Sequence, residues 1–409
     1  MSKKSKRKKA IKLIKSKKKD ISLAKIKVVG VGGAGGNATS RMAKSFPKSI
    51  SFLVINTDIQ DLNHAKVKKK ICIGRDLTRG LGTGMKPELG RKAAEEARSE
   101  ISQALKGTDL LFITCGLGGG TGTGAGPVVA DIAREMGILT VAVVTRPFSF
   151  EGMERNHIAD EGFVRLKEKV DAIIAIPNDR IFSLIDKETS LAKAFEKIDE
   201  VLKNAIEGVS EIIMTPGTIN VDFADIRAII ENTGLAVIGV GKASGKDRAI
   251  NSANLAANSP LLDIPIDGAR GLLFSISSNR DLKMEEVNEV AKLISSSVDQ
   301  NAKIIFGTYH NNDLRKGEIK TILVATGFVD YLAKSVMPQT DLFVKPREIS
   351  KEFIEEEKTL TLKLPKAVPT DRQAKTLSIE KQNKKKIDGI QDKEEIWEVP
   401  AFLRKKKHK

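Results

Sequence analysis

The sequence predicts an α/β protein: a mostly parallel sheet covered on both faces, a long central helix, a smaller second α/β unit and irregular ends. Three observations predict it. From Lys25 onward, short apolar runs alternate with stretches of helical period, the pattern of strands joined by crossover helices. The stretch "SLAKAFEKIDEVLKNAIEGVSEII" (Ser190 to Ile213) is a long helical pattern that interrupts the alternation and bridges two halves. From about Ala333 the composition turns to Lys, Glu, Thr, Pro and Gln with few large apolar residues, too little to bury for a packed core.

Taken in order, "KIKVVGVGG" (from Lys25), "SISFLVINTD" (Ser49 to Asp58), "KICIG", "DLLFITC" (Asp109 to Cys115), "ILTVAVVT" and "VDAIIAIPN" read as strands. "ELGRKAAEEARSEISQAL" (Glu88 to Leu105) reads as one helix, and "PVVADIAREM" as another that begins at Pro127. After the central helix, "FADIRAII", "LAVIGVG", "RAINSANLAA", "GLLFSIS", "MEEVNEVAKLISSSV", "KIIFGTY" and "KTILVATGF" form the second unit, ending near Phe328. The expected segments are a basic extension (1–24), a first α/β domain (25–189), the central helix (190–217), a second α/β domain (218–332), a disordered linker (333–394) and a terminal peptide (395–409).

Two glycine-rich turns carry the chemistry. In "GVGGAGGN", Gly30, Gly32 and Gly35 fit G-x-G-x-x-G directly after a strand, a Rossmann-like feature that also suggests NAD. The acid that usually follows about twenty residues later is poorly placed, since Asp58 comes late. The second turn, "GLGGGTGTGAGP" (Gly116 to Pro127), offers closely spaced backbone N–H groups, two hydroxyls and a following helix. Such a loop wraps phosphates and presents them to a helix N-terminus. No G-x-x-x-x-G-K-[ST] occurs, which excludes a Walker-type site.

Composition narrows the class. With 409 residues, 41% of them hydrophobic, the chain can bury a full core. No run of about eighteen apolar residues is present to cross a bilayer, and the N-terminus lacks a secretory signal, so a cytoplasmic location is expected. Cys72 and Cys115 lie in apolar runs and read as buried thiols, and the four histidines form no ligand cluster, so no metal site is expected. The net charge of +17 sits at the ends: eleven of the first twenty residues and five of the last six are Lys or Arg, and the body between is nearly neutral. Basic tails of this kind contact anionic membrane, nucleic acid or an acidic partner, or serve solubility.

"GGGTGTG" resembles the signature of the tubulin and FtsZ superfamily of polymerising GTPases, and "GVGGAGGNA", "NTD", "RGLGTG", "RPFSFEG", "IPND", "AFEKIDEVL" and "NVDFADIR" follow in the order and approximate spacing of its FtsZ branch. The resemblance covers roughly Lys25 to Gly327. It implies a parallel-sheet GTPase domain, GTP hydrolysis, and head-to-tail self-assembly into a cytokinetic ring at mid-cell. It implies that Gly32, Gly33, Ala34, Gly35, Gly36 and Asn37, with Gly118, Gly119, Gly120, Thr121, Gly122, Thr123 and Gly124, hold GTP, and that Mg²⁺ binds through the phosphates. Glu151 and Arg155 match the pair that reaches ribose and terminal phosphate, as suits a carboxylate and a guanidinium. Phe195 and Asp199 are four apart on one helix face, a ring beside a carboxylate for a guanine base, with Asn178 in the same pocket.

The resemblance further assigns Asp222 and Asp225, with Asn220 alongside, to a loop that enters the nucleotide site of the next subunit and activates water there; as residues alone, the two acids read equally as helix caps. In "EIWEVPAFLRKKK", Trp397, Val399, Pro400, Phe402 and Leu403 resemble the family's terminal peptide, which docks on membrane tethers and division regulators. Met85 and Lys86 depart from the small residue and Asn more usual there. A non-hydrolysing relative and an NAD-dependent oxidoreductase are the alternatives. The second lacks a catalytic His or Lys motif, and the first sits poorly with the retention of Asp222 and Asp225.

Overall fold

A computed structural model describes residues 24–328, except 187, 215–218, 220, 260, 261 and 263. Asn220, the basic extension and the terminal peptide with Trp397, Val399, Pro400, Phe402 and Leu403 therefore lie outside the described residues.

Strands β1 (Ile26–Val31), β2 (Ser51–Asn56), β3 (Lys69–Cys72), β4 (Leu110–Gly116), β5 (Leu139–Arg146), β6 (Ala172–Pro177), β7 (Gly234–Ser244), β8 (Gly271–Ser278), β9 (Lys303–His310) and β10 (Glu318–Thr326) form one sheet in the order β3-β2-β1-β4-β5-β6-β7-β10-β8-β9. From β3 to β7 every pairing is parallel. The second unit departs from the parallel expectation, because β10 runs antiparallel between β7 and β8. The two units share this sheet, and the seam between them, β6 with β7, has only three paired positions.

The helices are α1 (Gly32–Met42), α2 (Ile59–His64), α3 (Arg75–Thr78), α4 (Pro87–Glu96), α5 (Arg98–Leu105), α6 (Thr121–Glu135), α7 (Met153–Lys167), α8 (Leu191–Met214), α9 (Phe223–Ile230), α10 (Arg248–Ala257) and α11 (Met284–Ser295). Two differ from the sequence expectation. The helix expected over Glu88–Leu105 is broken at Ala97, which leaves helical geometry (φ −92°, ψ 11°) so that α5 can turn Ile101 and Leu105 into the core. The helix expected from Pro127 starts six residues earlier, inside the glycine run, and Pro127 sits in its body.

Strand alternation divides the core. Ile26, Val28, Leu110, Phe112, Val141 and Val143 face Ala38 and Met42 of α1 and the stripe Ile198, Val201, Leu202, Ala205, Ile206, Val209 and Ile212 of α8. Val29, Val31, Leu111, Ile113, Ala142 and Val144 face α4, α5, α6 and α7 on the other side. The period of two is what a sheet buried on both faces requires. Helix α8, about 36 Å long at 1.5 Å per residue, packs on β5 and also on β8, β9 and β10, so it ties the two units together as the sequence suggests.

Candidate functional site

The strand order from β3 to β6 is 3-2-1-4-5-6, so connections leave β1 and β4 in opposite directions. A crevice opens at such a switch point beyond the strand C-termini. Here it is a cavity of about 700 Å³.

Two helices start at its floor. Helix α1 begins at Gly32, immediately after β1, and α6 at Thr121, just after β4; neither start has a side-chain cap or an acid in its first turn. The first N–H groups of a helix have no partner within it, so both starts offer free donors and positive dipole ends to whatever fills the cavity. Close approach makes this possible. A Cβ on Gly35 would lie 2.3 Å from the carbonyl oxygen of Thr114, and one on Gly124 would lie 2.0 Å from that of Pro87.

Gly32, Gly33, Ala34, Gly35 and Asn37 line the cavity from α1, and Gly119, Gly120, Thr121 and Gly122 from the start of α6. Glu151, Arg155, Asn178, Phe195 and Asp199 complete the wall. Four of the expected residues are not on it. Gly36 faces Val54, Gly124 packs α6 on α4, Thr123 accepts a hydrogen bond from Gly118 N at 3.0 Å, and Gly118 makes the turn with φ +88°. These support the lining rather than form it.

The far wall is aromatic and acidic. Phe195 keeps 43% of its surface exposed and is held by the buried Phe148, edge to face at 6.0 Å. Asp199 is buried beside it and forms an ion pair with Arg41. Burial pushes the Asp199 carboxyl above the usual carboxylate range; Arg41 opposes this and Glu196 adds to it. Asn178 is buried with its Oδ1 unpartnered among the described residues. Glu151 pairs with Arg155 one turn on and accepts from Phe148 N at 2.9 Å. Cys115 lies at the base of the cavity, and burial pushes its thiol up to about 12; Cys72 is half-buried rather than buried.

Sequence reasoning missed Arg41, Thr83 and Thr57. Arg41 follows Asn37 by four residues in α1, so helical spacing placed it on the same face. Thr121 Oγ1 lies 2.7 Å from Thr57 Oγ1 and 3.2 Å from Thr83 Oγ1; these hydroxyls come from two loops and the first residue of α6, and no local pattern links them. Asp58, the candidate ribose acid of a dinucleotide site, instead caps α2 by accepting from Gln60 N and Asp61 N at 2.8 and 3.2 Å.

Asp222 and Asp225 do not line the cavity. Both are exposed. Asp222 caps α9, its Oδ1 accepting from Asp225 N at 2.9 Å, while the Asp225 carboxylate makes no cap. Of the two acids, the structure gives the helix-cap role to Asp222.

Residues 25–186 match the GTPase domain of the tubulin/FtsZ family, and residues 234–329 match the FtsZ family C-terminal domain. An empty FtsZ dimer from M. jannaschii is 44% identical, with a TM-score of 0.72 over 81% of this chain and 94% of that one. The chain belongs to the FtsZ family. A tryptophan-to-tyrosine mutant of M. jannaschii FtsZ gives 45% identity and a TM-score of 0.71, over 79% of this chain and 95% of that one. A GTPγS-bound CetZ2 protofilament from Haloferax volcanii shares the fold at 21% identity, with a TM-score of 0.61 over 74% of this chain and 92% of that one. The cavity of this FtsZ-family chain is built mostly from the residues matched to the GTPase domain, whereas Asp222 and Asp225 fall between the two matched segments. Among the described residues, no helix is long and apolar enough to cross a membrane.

Proposed function

We propose that this chain binds and hydrolyses GTP and polymerises head to tail, each active site being completed by the next copy, in filaments of the cytokinetic ring at mid-cell. The observation that carries this reading is the convergence of two uncapped, acid-free helix starts on one glycine floor, which suits a chain of phosphates. At the other end, an ionised Asp199 accepts from guanine N1–H and N2–H₂, which adenine does not present together, and Phe195 stacks on the base. Glu151 accepts from ribose hydroxyls, and Arg155 turns from it to the terminal phosphate. The chain's described residues form no metal cluster of their own, so Mg²⁺ would be carried by the nucleotide and would supply further charge neutralisation there.

Among the described residues, the glycine floor has no carboxylate of its own to activate water, and the unpaired lining acid, Glu196, sits on α8 beside Asp199 at the far wall. The other lining carboxylates, Glu151 and Asp199, are paired with Arg155 and Arg41. We assign that step to Asp222 and Asp225 of a neighbouring copy, with Asn220 beside them. The cap fixes the backbone between the two acids and leaves the Asp225 carboxylate to orient the water. Catalysis is then positioning plus electrostatics. We place the protein in the cytoplasm, with Trp397, Val399, Pro400, Phe402 and Leu403 docking on membrane tethers and regulators.

The test is phosphate release against protein concentration, with light scattering in parallel. Turnover per subunit is expected to rise steeply where scattering begins. Constant turnover down to concentrations without filaments would sink the shared site, and filaments without phosphate release would favour a non-hydrolysing relative.

A further inference from the structure

Among the described residues of the base-side wall, Arg41 is a cation that the GTP reading leaves without a task. It reaches from α1 to Asp199 on α8, and its side chain is 47% exposed against 12% for the acid. We infer that Arg41 sets the base preference by holding Asp199 as a carboxylate acceptor facing the cavity. The inference rests on the GTP reading and assigns Arg41 a positioning role within it.

The physical argument begins with burial. A carboxylate withdrawn from water is driven toward its neutral form unless a cation stays beside it. Two influences push Asp199 that way, its own burial and the Glu196 carboxylate three residues earlier on the same helix; Arg41 is the cation that opposes them. The other charged pair of the wall, Glu151 and Arg155, is closed on itself. Protonation would change more than affinity. An ionised carboxylate only accepts and fits the two donors of guanine, whereas a carboxylic acid donates and accepts together, which fits adenine N1 and N6–H₂. Arg41 thereby decides which purine edge the acid reads, without touching the base.

The experiment measures GTP and ATP affinities of nucleotide-free full-length protein from pH 8 to pH 6, for wild type, Arg41→Met and Arg41→Lys. Wild type is expected to hold a constant GTP-over-ATP ratio. In Arg41→Met the ratio should fall by about tenfold as the pH is lowered and Asp199 takes up a proton, and Arg41→Lys should restore a flat profile. A second measurement follows the Asp199 carboxylate directly by infrared difference spectroscopy, using Asp199→Asn to assign its band; the titration should move up in Arg41→Met. A flat ratio in Arg41→Met, or an equal loss of both nucleotides at every pH, overturns the inference and leaves the GTP reading intact. Failure of wild type to prefer GTP at pH 8 overturns both.

Discussion

Two kinds of helix start in this chain solve one electrostatic problem in opposite ways. Helices α1 and α6 open on the cavity with no cap and no acid in the first turn, whereas α9 carries its own cap, Asp222, and a second acid, Asp225. Unfilled donors are costly unless something supplies acceptors; α10 also starts without a side-chain cap or a first-turn acid, so what sets α1 and α6 apart is that both starts open on one cavity, which suits an anionic ligand. The comparison teaches that donors and acids are kept apart within one copy: the glycine floor, which we propose holds the phosphates, carries no carboxylate, and Asp222 and Asp225 lie away from the cavity.

That separation can be broken at the acids first. Asp225→Ala should lower GTP turnover by about 10²–10⁴-fold with GTP affinity unchanged, and in mixtures it should depress wild-type turnover by more than dilution. Asp222→Ala should do the same and also lose a cap worth about 1 kcal/mol, while Asp222→Asn keeps the cap; phosphate release and thermal melting separate the two effects. Next comes the cradle. A Cβ on Gly119 meets nothing within 4 Å, so Gly119→Asp should fold normally yet bind GTP at least about a hundredfold more weakly through like-charge repulsion, as read by equilibrium titration.

The third test separates lining from support. Gly124→Ala forces a Cβ against the Pro87 carbonyl and should cost about 1–3 kcal/mol of stability by denaturant melt, with affinity of the folded protein retained. The smallest effect concerns a carboxylate with neither a helix start nor an anion site to serve. Glu211, in the body of α8, is pushed above its ordinary value of 4.5 mainly by burial and also by Glu207, against Lys320 and Ser277. Its charged form is therefore the destabilised one, and stability is lost as pH rises from about 4.5 through the raised value. Glu211→Gln should raise the melting temperature at pH 8 by the equivalent of about 1 kcal/mol or less, with the gain vanishing as pH falls toward 4.5.

Much of this was legible in the sequence because it is local. Apolar period gave the strands β1 to β6 and the presence of helices before and after β4, though not their bounds; the resemblance gave Phe195 with Asp199, and helical spacing put them on one face. Across-chain facts were not legible. The antiparallel insertion of β10 depends on which ladder is free, not on any pattern in "KTILVATGF". Pro127 looked like a helix start because proline suits that position, but the glycines between Gly118 and Gly124 permit a helix packed close enough on α4 to begin earlier. Arg41 carried a signal in its spacing from Asn37, whereas the Thr57, Thr83 and Thr121 hydroxyls meet only after two loops and the start of α6 are folded together.

The seam in the sheet has a mechanical consequence. β6 and β7 share three paired positions where β7 and β10 share nine, and each backbone bond contributes only about 1 kcal/mol net. Under tension across the sheet, this ladder is the first to part. Helix α8, which packs on β5 and on β8 to β10, spans the place where the ladder is thinnest. The stiffness of the subunit across that line is thus set by a helix and the side chains beneath it, and load applied at one unit reaches the other through α8 more than through the strands.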